Sequence, residues 1–166
     1  MTVQDLEELY DYSYWANKKL FEVIAQLKPE EFTRQVAGSS ASIRNALVHA
    51  MSAEWGWLSR CGGPERGARL EPADFPTLQS VTDTWSNVEL MVRDFLSKLK
   101  NEDLGRRTDF TSERGEARSL PLGSLMHHAA NHSVHHRGQV SLLLRMLDYA
   151  PGNIDILIYY ALKASS

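Results

Sequence analysis

Residues 122–147 read LGSLMHHAANHSVHHRGQVSLLLRML. The stretch has a helical period and is broken by Pro151 and Gly152 just beyond it, so a long helix is expected from Leu122 to Leu147. It also holds five of the six histidines in the chain: His127, His128, His132, His135 and His136. The sixth, His49, stands alone. The chain around this helix has to explain both the fold and the cluster.

Working outward, three further long segments carry the same period. The first runs from Asp5 to Leu27, with Thr2 as N-cap and Asp5 in capping-box spacing. Its inward stripe is Leu6, Tyr10, Ser13, Asn17, Leu20, Ile24 and Leu27, and Pro29 marks its end. The polar Asn17 in that stripe needs a hydrogen-bond partner if it is buried. The second segment starts at Ser40 or Ser42 and ends by Gly62, with Ile43, Leu47, Ala50, Trp57 and Leu58 on its apolar face. His49 falls at the edge of that face. The third covers Thr77 to Lys100, with Leu78, Val81, Trp85, Val88, Val92, Phe95 and Leu99 on one side. Between the second and third lie about fifteen residues rich in Gly and Pro, long enough to cross a whole bundle and let those two helices run parallel. Arg106 to Leu120 lacks helical period and reads as a loop with a short β-hairpin turning near Ser112 to Gly115. A short apolar helix, Ile154 to Lys163, closes the chain. The expected fold is all-α, a four-helix bundle in one domain spanning 1–166.

Composition removes several function classes. The 166 residues carry 18 basic and 21 acidic side chains, a net charge of −3 that offers no footprint for nucleic acid. The longest apolar run, Ile156 to Leu162, is far short of the roughly 18 to 20 residues of a membrane span. The acidic start (Asp5, Glu7, Glu8) is unlike a signal peptide, and one cysteine, Cys61, cannot close an intramolecular disulfide. A cytoplasmic protein is expected.

Residues four apart share a helix face, so His128/His132 and His132/His136 can each offer two imidazoles to one ion. All three together span about 12 Å along the axis, too far for metal–nitrogen bonds of about 2 Å. One pair plus a ligand from another helix is the workable arrangement, and His49 is the only histidine elsewhere. Three neutral imidazoles leave a position open for water or substrate, as catalytic sites do, and suit zinc, nickel or a similar divalent ion. Spacing alone leaves this reading level with ordinary helix-surface histidines. His127 and His135 sit at other angles and read as solvated. No His-Glu-x-x-His motif is present: Ser133, Val134 and His135 separate His132 from His136.

The segment Asn131-His132-Ser133-Val134-His135-His136-Arg137-Gly138-Gln139 resembles the Asn-His-x-x-x-His-Arg-Gly-Gln signature of the DinB-like (YfiT-type) family of metal-binding helical bundles. Tyr14-Trp15-Ala16-Asn17 is similar to that family's Trp-Ala-Asn motif. Ser42-Ile43-Arg44 through Leu47, Val48 and His49, with Glu54 and Trp57, resembles its second helix, and the Asp155 region is also similar. The resemblance implies up-down-down-up connectivity, a metal held by His49, His132 and His136 with water completing the shell, and zinc or nickel as the ion. It implies thiol-dependent S-transferase chemistry on small molecules, with a low-molecular-weight thiol as partner, and a homodimer as seen for several relatives. A non-catalytic metal-binding stress-response protein is the alternative, and a zinc hydrolase using Glu54 ranks below it. No catalytic side chain is assigned. His135 departs from the family pattern, which favours an aromatic residue there, and His128 matches a histidine that is not a principal ligand. Asn17, Asn131, Glu54 and Gln139 are candidate partners for ligand imidazoles. Arg137 reads as a surface cap, Gly138 as a close helix contact, and Cys61 as a small semi-buried hydrophobe.

Overall fold

The computed structural model describes residues 1–36, 39, 41–112 and 114–165. Helix α1 spans Val3–Ile24 and begins with the expected capping box: Thr2 Oγ1 accepts from the Asp5 backbone N–H at 3.1 Å, and the Asp5 carboxylate accepts from the Thr2 N–H at 2.7 Å. Leu6, Tyr10, Ser13, Asn17, Leu20 and Ile24 are all buried, as the stripe requires. The helix stops a turn before Leu27. Pro29 does more than end it: it occupies the first turn of a short helix α2, Pro29–Thr33, where the missing N–H costs nothing.

Helix α3 spans Ile43–Arg60, capped by Ser42 Oγ accepting from the Asn45 N–H at 3.1 Å. Ser40, the other candidate cap, lies outside the described residues. Gly62 follows the helix at φ +100°, a left-handed conformation that glycine adopts without a Cβ penalty. The connector then runs back over α3 and is tied to it. Leu70 donates its N–H to Ser52 Oγ at 3.2 Å, and Trp55 Nε1 donates to the Pro64 carbonyl at 3.3 Å. Helix α4 spans Leu78–Ser97 behind Thr77 as N-cap, with Val81, Trp85, Val88 and Val92 buried and Leu78, Phe95 and Leu99 half-buried against the core; Leu96 joins the buried set. The hairpin is present as strands β1, Arg107–Thr111, and β2, Ala117–Pro121, antiparallel with Phe110 opposite Arg118. Helix α5 covers Leu122–Met146, and α6, Ile156–Ala164, is capped by the Asp155 carboxylate at 2.8 Å from the Leu157 nitrogen.

Four of these helices are long. α1 and α3 each pack against both α4 and α5, which encloses a core that includes Leu6, Leu20, Ile43, Met51, Leu125 and Met126, all at most 1% exposed. Side chains of this kind contribute roughly 1.5–3 kcal/mol each when fully buried. Among the described residues, no helix is long and apolar enough to cross a membrane.

Candidate metal centre

The pairing of α3 with α5 brings the lone histidine to the cluster. The ring centroid of His49 lies 5.2 Å from that of His132 and 4.5 Å from that of His136, and the two α5 rings are 4.4 Å apart. One nitrogen from each ring lies within 4.8 Å of the other two, so the three imidazoles can hold a metal ion. The Nε2 atoms of His132 and His136 face each other at 3.2 Å. A tetrahedral zinc with bonds of about 2.05 Å sets its ligand nitrogens about 3.3 Å apart, so this pair is already at ligand spacing. Of the two candidate pairs on α5, the structure joins His132/His136 to His49; the His128 ring stands 6.0 Å from His132 and edge-on to Trp57 at 5.2 Å. His127 is exposed.

Protonation also suits ligation. Burial, reinforced by His136 and His49 nearby, pulls His132 down from 6.5 to about 4, and burial likewise lowers His136. Both are therefore neutral at pH 7, as ligands must be. His136 donates its Nδ1 proton to Gln139 Oε1 at 2.7 Å, which leaves the Nε2 lone pair aimed at the centre. The same amide donates to His135 Nε2 at 3.0 Å. Of the four candidate partners for ligand imidazoles, Gln139 fills that role. At His49, the Arg69 guanidinium donates to Nδ1 at 3.2 Å. A guanidinium carries donors only, so in this arrangement the His49 proton sits on Nε2, and ligation through Nε2 requires Arg69 to give up its bond.

Behind the histidines lies a buried polar layer. Glu54, at 2% exposure, accepts from Tyr14 Oη at 2.8 Å and from Ser133 Oγ at 3.4 Å. Burial raises its carboxyl from 4.5 to about 7, against the opposing effect of those two hydroxyls and the positive charge of Arg137. Arg137 is itself 3% exposed, not a surface cap. It donates to Ser13 Oγ at 2.7 Å and Asn17 Oδ1 at 3.2 Å, with its guanidinium 5.3 Å from the Tyr12 ring centroid. The two motifs quoted from α1 and α5 thus meet through Asn17 and Arg137. Trp15 of the α1 motif packs on Tyr159 of α6 at 5.7 Å. Gly138 is exposed with open space where a Cβ would stand, so it makes no close helix contact. Asn131 is exposed. Cys61 is buried at the end of α3, and burial pushes its thiol up to about 11, which leaves it inert at neutral pH.

The centre opens onto a cavity of about 550 Å³ whose lining includes His49, His128, His132, Trp57 and Phe110. Tyr14, Ser133 and Arg69 were not singled out by sequence reasoning. Ser133 lies four residues past Ala129 and seven past Met126, so its place on the inner face of α5 was a readable signal; nothing in the aperiodic connector marked Arg69.

Comparison with known proteins agrees with the quoted motifs. The family model described as the DinB family matches residues 1–164. Protein DinB of Bacillus subtilis is 23% identical over 159 residues, covering 92% of this chain and 91% of its own length. The YizA protein of the same organism is 24% identical over 144 residues, covering 87% and 89%. Among solved structures, a DinB-like protein from Bacillus cereus superposes with a TM-score of 0.75 at 21% identity, covering 92% of this chain and 97% of the other. A conserved protein from Enterococcus faecalis gives 0.63 at 16% identity, covering 88% and 97%. At these identities the structural likeness speaks for the fold.

Proposed function

The chain belongs to the DinB family, and from that premise we propose that it binds one divalent ion, zinc or nickel, through His49, His132 and His136, and acts as a metal-dependent transferase of the thiol-dependent S-transferase type on small molecules. The observation that carries the reading is the convergence of three imidazoles from α3 and α5 at the mouth of an open cavity. An ion bound there supplies Lewis acidity, lowering the pKa of a low-molecular-weight thiol or a water at its open position. The protein's own part is to present neutral imidazoles, to orient His136 through Gln139, and to wall the cavity with Trp57 and Phe110 so that a substrate enters beside the centre and not through the core.

Two alternatives remain in the proposal. A non-catalytic metal-binding stress-response protein has no need of a cavity beside the ion, and among the described residues the potential ligand group holds three side chains with no fourth to seal it. A zinc hydrolase needs a base at the metal water. Glu54 is turned toward Tyr14 and Ser133 in the core and is absent from the residues lining the cavity. The transferase reading is therefore preferred to both.

We extend the proposal to one domain over 1–166, a cytoplasmic setting consistent with a single buried thiol, and an up-down-down-up bundle. The bundle order is supported by Asp11 with Arg93 and Phe21 with Trp85 between α1 and α4, by His128 with Trp57 and His136 with His49 between α5 and α3, and by Tyr10 with Met126 and Ser13 with Arg137 between α1 and α5. A homodimer is supported by the exposed Leu142, Met146, Leu157 and Tyr160 near the C-terminus.

The test is elemental mass spectrometry of untagged protein, wild type and His132→Ala. Stoichiometric zinc or nickel lost in the variant supports the reading and leads to a screen of low-molecular-weight thiols with electrophilic substrates. Near-zero metal in both, persisting after incubation with either ion, overturns it.

A further inference from the structure

The cavity beside the histidines has a charge that the rest of the chain does not. The protein is net acidic, yet three arginines, Arg60, Arg66 and Arg69, line this one space, and no aspartate or glutamate stands among its described lining residues. Two of them converge on a point where a side chain is missing: a Cβ added to Gly56 would sit 2.9 Å from Arg66 Nη1 and 3.2 Å from Arg60 Nη1. Each is held there. Arg60 Nη1 donates to the Gly56 carbonyl at 3.2 Å and its guanidinium lies 5.0 Å from the Trp57 ring centroid. Arg66 Nη1 donates to the Ser52 carbonyl at 2.7 Å and to Ser52 Oγ at 3.0 Å, while its Nε is buried with no hydrogen-bond partner. Arg69 reaches the same space from the connector and touches His49. Among the described residues none of the three makes an ion pair. Burial first, and then the proximity of Arg60 and Arg69, lower the Arg66 pKa.

Among the described residues the three guanidiniums are held together without a carboxylate, which is costly unless something negative is received there. Arginine is the side chain suited to binding carboxylate or phosphate oxygens through paired N–H donors. Trp57 and Phe110, packed edge to face at 5.2 Å, add an apolar wall of the kind that takes a ring or short chain. From this juxtaposition we propose that the arginine cavity binds the anionic end, carboxylate or phosphate, of a small organic molecule whose other end lies against the three histidines. The proposal rests on the functional reading above for the direction in which the molecule points, and on the arginines alone for its charge.

The experiment is calorimetric titration of the full chain, zinc-loaded and metal-free, with benzoate, phenyl phosphate and the neutral benzamide. At least one anion is expected to bind saturably, and benzamide at least about tenfold more weakly, the scale of one charge-assisted hydrogen bond. Which anion binds better separates carboxylate from phosphate as the group received. Arg60→Gln and Arg69→Gln change exposed side chains and are expected to weaken binding by about tenfold each, and in Arg60→Gln, whose contacts are with Gly56 and Trp57, the zinc content of the protein stays at the wild-type level. Gly56→Ala, which pushes a methyl group against both guanidiniums, is expected to act in the same direction. Anion binding that persists in metal-free protein, or in His132→Ala, upholds this inference even if the histidines prove to hold no metal. Equal affinity for benzamide, unchanged affinity in both arginine variants, or no binding of either anion to protein with full zinc content overturns it.

Discussion

Replacing Glu54 with glutamine probes the buried polar layer behind the histidines. Glu54 is the one carboxyl buried among the described residues. Its folded value of about 7, against an ordinary 4.5, means that between those pH values the folded chain binds more protons than the unfolded one. Stability therefore falls as pH rises through that window: the contribution is fully present below about 4.5 and lost above about 7. At about 1.36 kcal/mol per pH unit, the loss amounts to about 3 kcal/mol, undiminished by solvent because the carboxyl is enclosed. Glutamine keeps the shape and loses the titration. Its Oε1 can accept from Tyr14 as the carboxylate does. Its amide can donate to Ser133 Oγ, whose own proton already has the Ala129 carbonyl as an acceptor at 3.3 Å.

The assay is urea unfolding of wild type and Glu54→Gln in metal-free buffer from pH 4.5 to 8, read as the difference between the two curves. The difference matters because His132 works the other way. Its folded value of about 4 lies below 6.5, so it withdraws stability as pH falls through that window, and in wild type alone the two effects mask each other. Subtraction cancels the histidine. Wild type is expected to lose about 3 kcal/mol relative to the variant across the range, so that Glu54→Gln becomes the more stable protein at pH 8. A difference that stays constant within about 1 kcal/mol would refute the claim that burial governs this carboxyl.

Two further outcomes follow from the same geometry. Gln139→Ala removes the acceptor that orients His136 and is expected to weaken metal affinity by about tenfold to a hundredfold, measured by competition with a chromophoric chelator, with helical circular dichroism unchanged; an unaltered affinity sinks the orienting role. Cys61, buried and with its thiol raised to about 11, is expected to resist a thiol-specific chromogenic reagent in the folded chain and to react to completion in denaturant; rapid labelling of native protein contradicts its placement.

How far the sequence could be read depended on whether a feature was periodic. Caps and stripes are local, and Thr2, Ser42 and Thr77 stand where short-range chemistry puts them. The spacing of His132 and His136 was legible for the same reason. His49 was not, because its angle on α3 placed it only at the edge of the apolar face and its neighbours come from a helix some eighty residues on; the family motif, not the wheel, assigned it. Arg60, Arg66 and Arg69 belong to a helix end and an aperiodic connector, where nothing local says that three side chains will meet.

Arg137 is the instructive error, because periodicity and charge pointed in opposite directions. It continues the inner stripe of α5 through Met126, Ala130 and Ser133 to Val140 and Leu144, all of them buried. Its charge argued for the surface, since a buried guanidinium needs partners. The partners were visible as a second anomaly, the polar Ser13 and Asn17 in the inner stripe of α1, and each stripe's polar positions answer the other's. The match is incomplete: Arg137 Nε and Nη2 are buried without a hydrogen-bond partner, and Glu54 contributes at a distance, through its charge. The two buried ionisable groups therefore depend on each other. Neutralising Glu54 removes an attraction that helps keep Arg137 charged, and because that attraction already holds the Glu54 value down to about 7, the loss of about 3 kcal/mol worked from that value includes it.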